Sequence, residues 1–262
     1  MIKINNQIEE LKAYIDNAEI ITFYGGAGTS TESGIPDYRS KHGRWTALQQ
    51  DGFDPVKVAT ATNMMRDPEK YFRKRENENS VIPEPNATHK ILAEMEQSGI
   101  DVRVITQNVD SLHKQAGHRY VLELHGNSRK WHCMTCQREY RGHEIERDEK
   151  NIPRCYVDNG IVRPNVVLFG ENTNKDTVDK AKWTMKNTDL LIIAGTSLTT
   201  PLARRLVLNY EGENTILINH DELDIPGIEP DLFIKDSVGE VFTQLKELHL
   251  SIENESKRNK RH

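Results

Sequence analysis

The segment Glu19 to Tyr24 reads as a short buried strand, and it runs directly into Gly25-Gly26-Ala27-Gly28. A strand that empties into a glycine-rich turn restricts the fold sharply. Glycines let the backbone approach an anion closely, and a helix after the turn offers free N–H groups to it. The alternative is an ordinary tight strand-to-helix turn.

The rest of the chain repeats this alternation. Ile4, Ile8, Leu11 and Ile15 recur at helical spacing, which predicts an amphipathic helix over residues 3–17. A helix over 86–98 stops at Gly99, and strands follow at 102–106 and 120–124. Strands are also predicted at 189–194, 215–219 and 231–235, with a helix at 201–210 between the first two. Ser237 and Glu240 form a capping-box pattern ahead of a closing helix. Strands alternating with helices predict an α/β fold, a doubly wound and mostly parallel Rossmann-like sheet. Between 126 and 165 the periodicity is lost and all three cysteines gather, as in a small inserted zinc-ribbon-like module. The expected division is 1–125 with 166–250 for the sheet domain, 126–165 for the module and 251–262 for a basic, solvated tail.

Gly26-x-Gly28 begins a Gly-x-Gly-x-x-Gly fingerprint, but Thr31 stands at its third glycine position. The run Gly26-Ala27-Gly28-Thr29-Ser30-Thr31-Glu32-Ser33-Gly34-Ile35-Pro36-Asp37-Tyr38-Arg39 is dense in chemistry for a loop. Arg39 can pair a pyrophosphate in bidentate fashion, and Asp37 can hold a hydroxyl or an amide. Gln107, Asn108 and Asp110 lie just past the strand at 102–106. In a doubly wound sheet that end faces the ligand crevice. Asp110 is equally suited to capping the segment Ser111 to Ala116. His125 ends a strand ahead of Gly126, at the edge of the same crevice; a lone histidine there is structural or a general base.

Cys133-x-x-Cys136 followed by Cys155 has the opening spacing of a four-cysteine zinc site. The fourth position falls on Asp158, giving a Cys3Asp set, with His132 and His143 as other candidates. A metal-free module and a redox pair are the alternatives.

The run Gly26-Ala27-Gly28-x-Ser30 with Ser33-Gly34-Ile35-Pro36-Asp37-Tyr38-Arg39 closely resembles the first signature of the sirtuin family. Tyr38 stands where the family usually has Phe. Gln107-Asn108-x-Asp110 with Leu112-His113, and Glu123-x-His125-Gly126, resemble two further signatures. Arg163-Pro-x-Val-Val-x-Phe169-Gly170-Glu171 and Gly195-Thr196-Ser197-Leu198 continue the match in order, and Asn219 matches an adenosine-ribose contact. The chain departs from the pattern at 199–203, where Thr200 replaces a valine and Pro201 comes one position early.

The resemblance implies an NAD-dependent protein-lysine deacylase, with acetyl as the default acyl group. NAD is consumed as a co-substrate, and nicotinamide and O-acyl-ADP-ribose are released. Gly26, Ala27, Gly28, Ser30, Asp37, Tyr38, Arg39, Gln107, Asn108, Asp110, Gly195, Thr196, Ser197 and Asn219 would bind NAD. Val167, Phe169, Gly170 and Glu171 would border the acyl-lysine channel, with the peptide added as a strand. His125 would be the base, helped by Asn108 and Asp110. Zinc would be structural. Rival readings are a protein ADP-ribosyltransferase of the same fold, a dehydrogenase, and a nucleotide-binding module without catalysis. No acid stands on the ribose about 20 residues after the glycines, which argues against the dehydrogenase.

Net charge is −5, giving no reason to expect nucleic acid or an anionic membrane as partner. Residues 1–18 are too polar for a secretory signal, and the apolar runs are too short to span a bilayer. With few cysteines and no disulfide framework, a cytoplasmic protein is expected.

Overall fold

The computed structural model describes residues 6–37, 43–50, 52, 54–72 and 83–259. Tyr38 and Arg39 lie outside the described residues.

Six strands form one parallel sheet in the order β3 (Val121–Glu123), β2 (Asp101–Thr106), β1 (Ile20–Gly25), β9 (Leu190–Ala194), β10 (Asn214–Ile218) and β11 (Leu232–Ile234). This is the doubly wound sheet expected from the sequence. The strand order reverses at β1 and β9, which makes a crevice at their carboxyl ends. Gly25 pairs with Thr106 on one side and Ala194 on the other, so three loops leave the sheet at one level.

Alternate side chains of each strand enter opposite layers. Ile21, Phe23, Val102, Val104, Ile192 and Ile216 pack on helices Asn6–Asn17, Ala87–Gln97 and Val238–Asn259. Tyr24, Ile105, Leu191, Ile193 and Leu217 pack on helices Lys175–Lys186 and Pro201–Val207. Helix Lys175–Lys186 is absent from the sequence expectation: of its buried residues Ala181, Thr184 and Met185, only Met185 is large and apolar. The predicted helix at 201–210 stops at Val207.

The segment after β1 also differs from expectation. Two 3-10 turns, Ala27–Thr29 and Thr31–Ser33, run through the stretch expected as a loop. The closing helix starts as its sequence promises, with the Glu240 N–H given to Ser237 Oγ at 3.3 Å. The reciprocal half differs: Ser237 gives its own N–H to Asp236 and its hydroxyl to Glu32, at 2.7 Å each. The helix continues to Asn259, into the stretch expected as a tail.

Residues 126–166 form antiparallel pairs. β4 (Gly126–Cys133) lies between β5 (Glu139–Arg141) and β8 (Val162–Val166), and β6 (Glu146–Arg147) pairs with β7 (Pro153–Arg154). Met64, Tyr71 and Phe72 from the helical stretch 54–72 pack against Ile152, Val166 and Leu168. This layer therefore stands over the sheet's carboxyl edge.

Candidate active site

A cleft of about 1190 Å³ lies between the sheet edge and the smaller layer. Most residues singled out in the sequence line it together: Ala27, Gly28, Asp37, Gln107, Asn108, His125, Val167, Phe169, Gly170, Glu171, Gly195, Thr196, Ser197 and Asn219. Gly26, Ser30 and Asp110 do not line it; they build what stands behind its wall.

The glycines of the first turn serve backbone packing. Gly28 gives its N–H to Gly195 O at 2.8 Å, and Gly26 gives its N–H to Ala194 O at 3.1 Å. A Cβ on Gly28 would stand 2.7 Å from Gly195 Cα, and one on Gly195 would stand 2.7 Å from Thr29 N. Gly195 also has φ +55°, a region that favours glycine. The turns after β1 and β9 are thus interlocked, and only glycine fits on either side. The sequence predicts a close approach at these glycines; its partner here is a second loop of the protein.

Asn108 supports the same turn from below. Its side-chain NH2 lies 3.0 Å from Gly26 O, 3.1 Å from Thr29 Oγ1 and 3.0 Å from Ser30 Oγ. Gly26 O can only accept, so the amide orientation is fixed and Oδ1 is the atom left for a ligand. Asp110 accepts from Ser30 Oγ at 2.8 Å and from the Leu112 N–H at 2.9 Å. From the residue before the N-cap, Ser111, it therefore accepts the first N–H of the short helix Leu112–Gln115 and holds the glycine turn at once. Burial raises its pKa above the usual carboxylate value, against these two hydrogen bonds, which lower it.

Gln107 joins three walls of the cleft. Its N–H goes to Gly25 O at 3.1 Å. Its amide accepts from Thr196 Oγ1 at 3.3 Å and donates to Thr200 Oγ1 at 3.1 Å. Its main-chain carbonyl lies 3.0 Å from His125 Nδ1. A carbonyl only accepts, so Nδ1 carries the proton and Nε2 is left with its lone pair. Burial lowers the His125 pKa, partly offset by the Gln107 carbonyl, so the ring is neutral at pH 7. Gly126 follows at φ +72°, where a Cβ would meet Asn165 O at 2.0 Å. That turn sends the chain into β4 and leaves the imidazole at the cleft.

Opposite, Val167 gives its N–H to His125 O at 2.9 Å, and Phe169 gives its N–H to Ala59 O at 3.0 Å. Phe169 is 42% exposed and packs beside Trp45, with ring centroids 6.0 Å apart. Glu171, expected beside the acyl-lysine channel, lines the cleft. Its carboxylate is engaged by the buried Arg163 guanidinium, at 2.6 and 2.9 Å, and by the Leu168 N–H at 2.8 Å. These bonds hold its pKa below the usual range. Arg163 stands out in the sequence only as part of a run, and Trp45 not at all; a single tryptophan outside any periodic element carries no sequence signal.

About the module's cysteines, the ligand atoms of Cys133, Cys136, Cys155 and Asp158 all lie within 4.8 Å of one another. Cys136 Sγ is 3.7 Å from Cys155 Sγ, and Cys133 Sγ is 3.4 Å from Asp158 Oδ1. A tetrahedral zinc ion requires edges of about 3.8 Å between sulfurs and about 3.5 Å between sulfur and oxygen. Thr135 and Val157 aim N–H groups at Cys133 and Cys155 sulfur, at 3.3 and 3.4 Å, which suits thiolates. The four residues fit zinc and lie outside the cleft lining. Among the described residues, no other cluster has metal-ligand geometry. Nor is any described helix long and apolar enough to cross a membrane.

Comparison with known proteins agrees with this geometry. Residues 26–201 match the model of the Sir2 family. The chain is 36% identical over 248 residues to an NAD-dependent protein deacetylase of Fusobacterium nucleatum, covering 94% of each. It is 36% identical over 241 residues to one of Clostridium perfringens, covering 91% of this chain and 98% of the other. Among solved structures it resembles Sir2 with a p53 peptide and NAD+, with a TM-score of 0.79 and 28% identity over 92% of this chain and 98% of that one. It also resembles a Sir2 variant with a deacetylated p53 peptide and 3′-O-acetyl ADP ribose, with a TM-score of 0.80 and 29% identity over 92% and 97% of the two chains. On the match across both halves of the cleft and nearly the whole chain, this protein belongs to the Sir2 family.

Proposed function

We propose that this protein is an NAD-dependent protein-lysine deacylase, acting on acyl-lysine in a protein or peptide. One observation carries the reading: His125, proton on Nδ1 and lone pair on Nε2, opens on a cleft shared by the Gly28–Gly195 interlock and the Val167–Glu171 loop.

The sheet domain, 1–125 with 166–250, supplies the dinucleotide half of the cleft. Ala27, Gly28, Asp37, Tyr38 and Arg39 bind the phosphate and ribose portion, with Gly195, Thr196, Ser197 and Asn219 opposite. Asn108 presents Oδ1, and Gln107 lies beside it. Gly26, Ser30 and Asp110 act from behind by fixing the turn. Bound NAD would supply the anomeric carbon: its bond to nicotinamide breaks as the acyl oxygen bonds to it, and, with one water consumed, the acyl–lysine C–N bond breaks to leave free lysine and O-acyl-ADP-ribose.

His125 Nε2 takes the proton of a ribose hydroxyl, and the Gln107 carbonyl stabilises the imidazolium through Nδ1–H. Val167, Phe169 and Gly170 line the acyl-lysine path, and the peptide backbone adds alongside as a strand. Glu171 shapes that path through Arg163. Module 126–165 backs the helical stretch 54–72 and the segment from Val166 to Leu168, which line the cleft, and zinc held by Cys133, Cys136, Cys155 and Asp158 would keep the module folded. Free cysteines with no disulfide support a cytoplasmic location.

Mass spectrometry of products from NAD and a panel of acyl-lysine peptides tests the reading. The expected outcome is free lysine peptide, nicotinamide and O-acyl-ADP-ribose in equal amounts. Label from NAD retained on protein would replace deacylation by ADP-ribosyl transfer, and reduced nicotinamide would replace it by a dehydrogenase.

A further inference from the structure

The glycine turn has a support outside the cleft. Asn86, at the N-terminus of helix Ala87–Gln97, gives its side-chain NH2 to Thr29 O at 2.8 Å. Thr29 O can only accept, so Asn86 Oδ1 faces the other way. There it meets His89 Nδ1 at 2.8 Å. Two lone pairs at that distance would repel, so Nδ1 carries the proton and donates it. The 3.3 Å approach of Asn86 N to the same nitrogen is then a contact, not a bond.

His89 is itself fully buried, with its ring 4.5 Å from that of His113, and burial pushes its pKa down to about 4. It therefore stays neutral at pH 7 and holds one tautomer. Helix Ala87–Gln97 thus reaches the turn by a chain of directed bonds: His89 Nδ1–H to Asn86 Oδ1, and Asn86 Nδ2–H to Thr29 O. Thr29 Oγ1 donates onward to Gly26 O at 2.7 Å, where Asn108 also binds. Neither Asn86 nor His89 lines the cleft.

We infer that Asn86, oriented by His89, is a positioning residue that sets the Gly26–Ser30 turn for dinucleotide binding. The inference rests on reading the cleft as an NAD site. Its expected signature is on the nucleotide alone: a raised KM for NAD, with kcat and the peptide KM kept.

Asn86→Asp is the informative variant. Aspartate caps a helix as well as asparagine does but has no N–H for Thr29 O. Wild-type turnover is measured first; absence of any NAD-dependent nicotinamide release would overturn the NAD reading itself. With that release established, Asn86→Asp and Asn86→Ala are each expected to raise the NAD KM about tenfold, the loss of one buried hydrogen bond. His89→Gln, which keeps a donor, should be milder than His89→Leu. Nitrogen NMR of wild-type His89 should show the proton on Nδ1. A wild-type NAD KM in Asn86→Asp, an equal loss in kcat and both KM values, or a proton on Nε2 of His89 would overturn the inference and leave the NAD reading standing.

Discussion

His125 donates its Nδ1 proton to the main-chain carbonyl of Gln107 at 3.0 Å, and Gln107 is in turn anchored to Gly25, Thr196 and Thr200. The imidazole's tautomer and aim are therefore set by backbone at the sheet's switch point. Side-chain substitutions at Gln107 leave that carbonyl in place, whereas loss of the ring removes the base.

Replacing His125 with Ala is expected to lower deacylation about 10²- to 10⁴-fold, the usual worth of a positioned base. NAD affinity should change little, because the turn is held by Asn108, Ser30 and Asp110. Calorimetric NAD binding beside steady-state turnover measures both. Full turnover in the variant would remove His125 from the mechanism.

The same ring sets the pH profile. Burial lowers the His125 pKa below its ordinary 6.5, and the base works only when neutral. Turnover should therefore hold at pH 7 and fall as pH drops, with a midpoint below 6.5. A kcat/KM–pH curve, which reports the free enzyme, measures this; a midpoint above 6.5 would contradict the expectation.

Arg163→Ala strips the guanidinium from Glu171 and from the Val166 carbonyl. Arg163 is buried, with Glu171 about one third exposed, so the expected loss is about 2–4 kcal/mol. The peptide KM should rise with it, since the Val167–Glu171 loop loses its brace. Glu171 has a lowered folded pKa, so its stabilising contribution is complete above the usual carboxylate value and fades as pH falls through the lowered one. Urea melts at two pH values would show a smaller wild-type-to-variant gap at the acid one.

Chelation tests the cysteine cluster. A zinc content of one per chain is expected, with a fall in melting temperature on chelator treatment. Asp158→Ala should weaken metal retention, and Asp158→Cys should preserve or strengthen it. Atomic absorption with thermal melts provides the readout. Unchanged melting after complete zinc removal would exclude a structural metal.

The order of strands and their burial are readable because Ile21, Phe23, Val104 and Ile192 announce themselves by type and period. The cleft is readable because its glycines, amides and histidine cluster just past strand ends. Three things are not. Helix Lys175–Lys186 buries one large apolar residue, Met185, beside Ala181 and Thr184, too sparse a pattern to show a helical period. Arg163 is paired to Glu171 across a loop whose shape exists only after folding. The partner of Gly28 is Gly195, and no local pattern says that two glycines so far apart in sequence will touch.

That interlock also fixes when the pocket comes into being. A nascent chain that has emerged only as far as the cysteine module holds the first turn, the amides and the histidine, but lacks the loop whose carbonyl takes the Gly28 N–H. The floor of the nucleotide pocket is completed only when the loop beyond Ala194 is delivered and docks on Gly28. A fragment ending before that loop would therefore lack Gly195, Thr196 and Ser197 from the cleft wall.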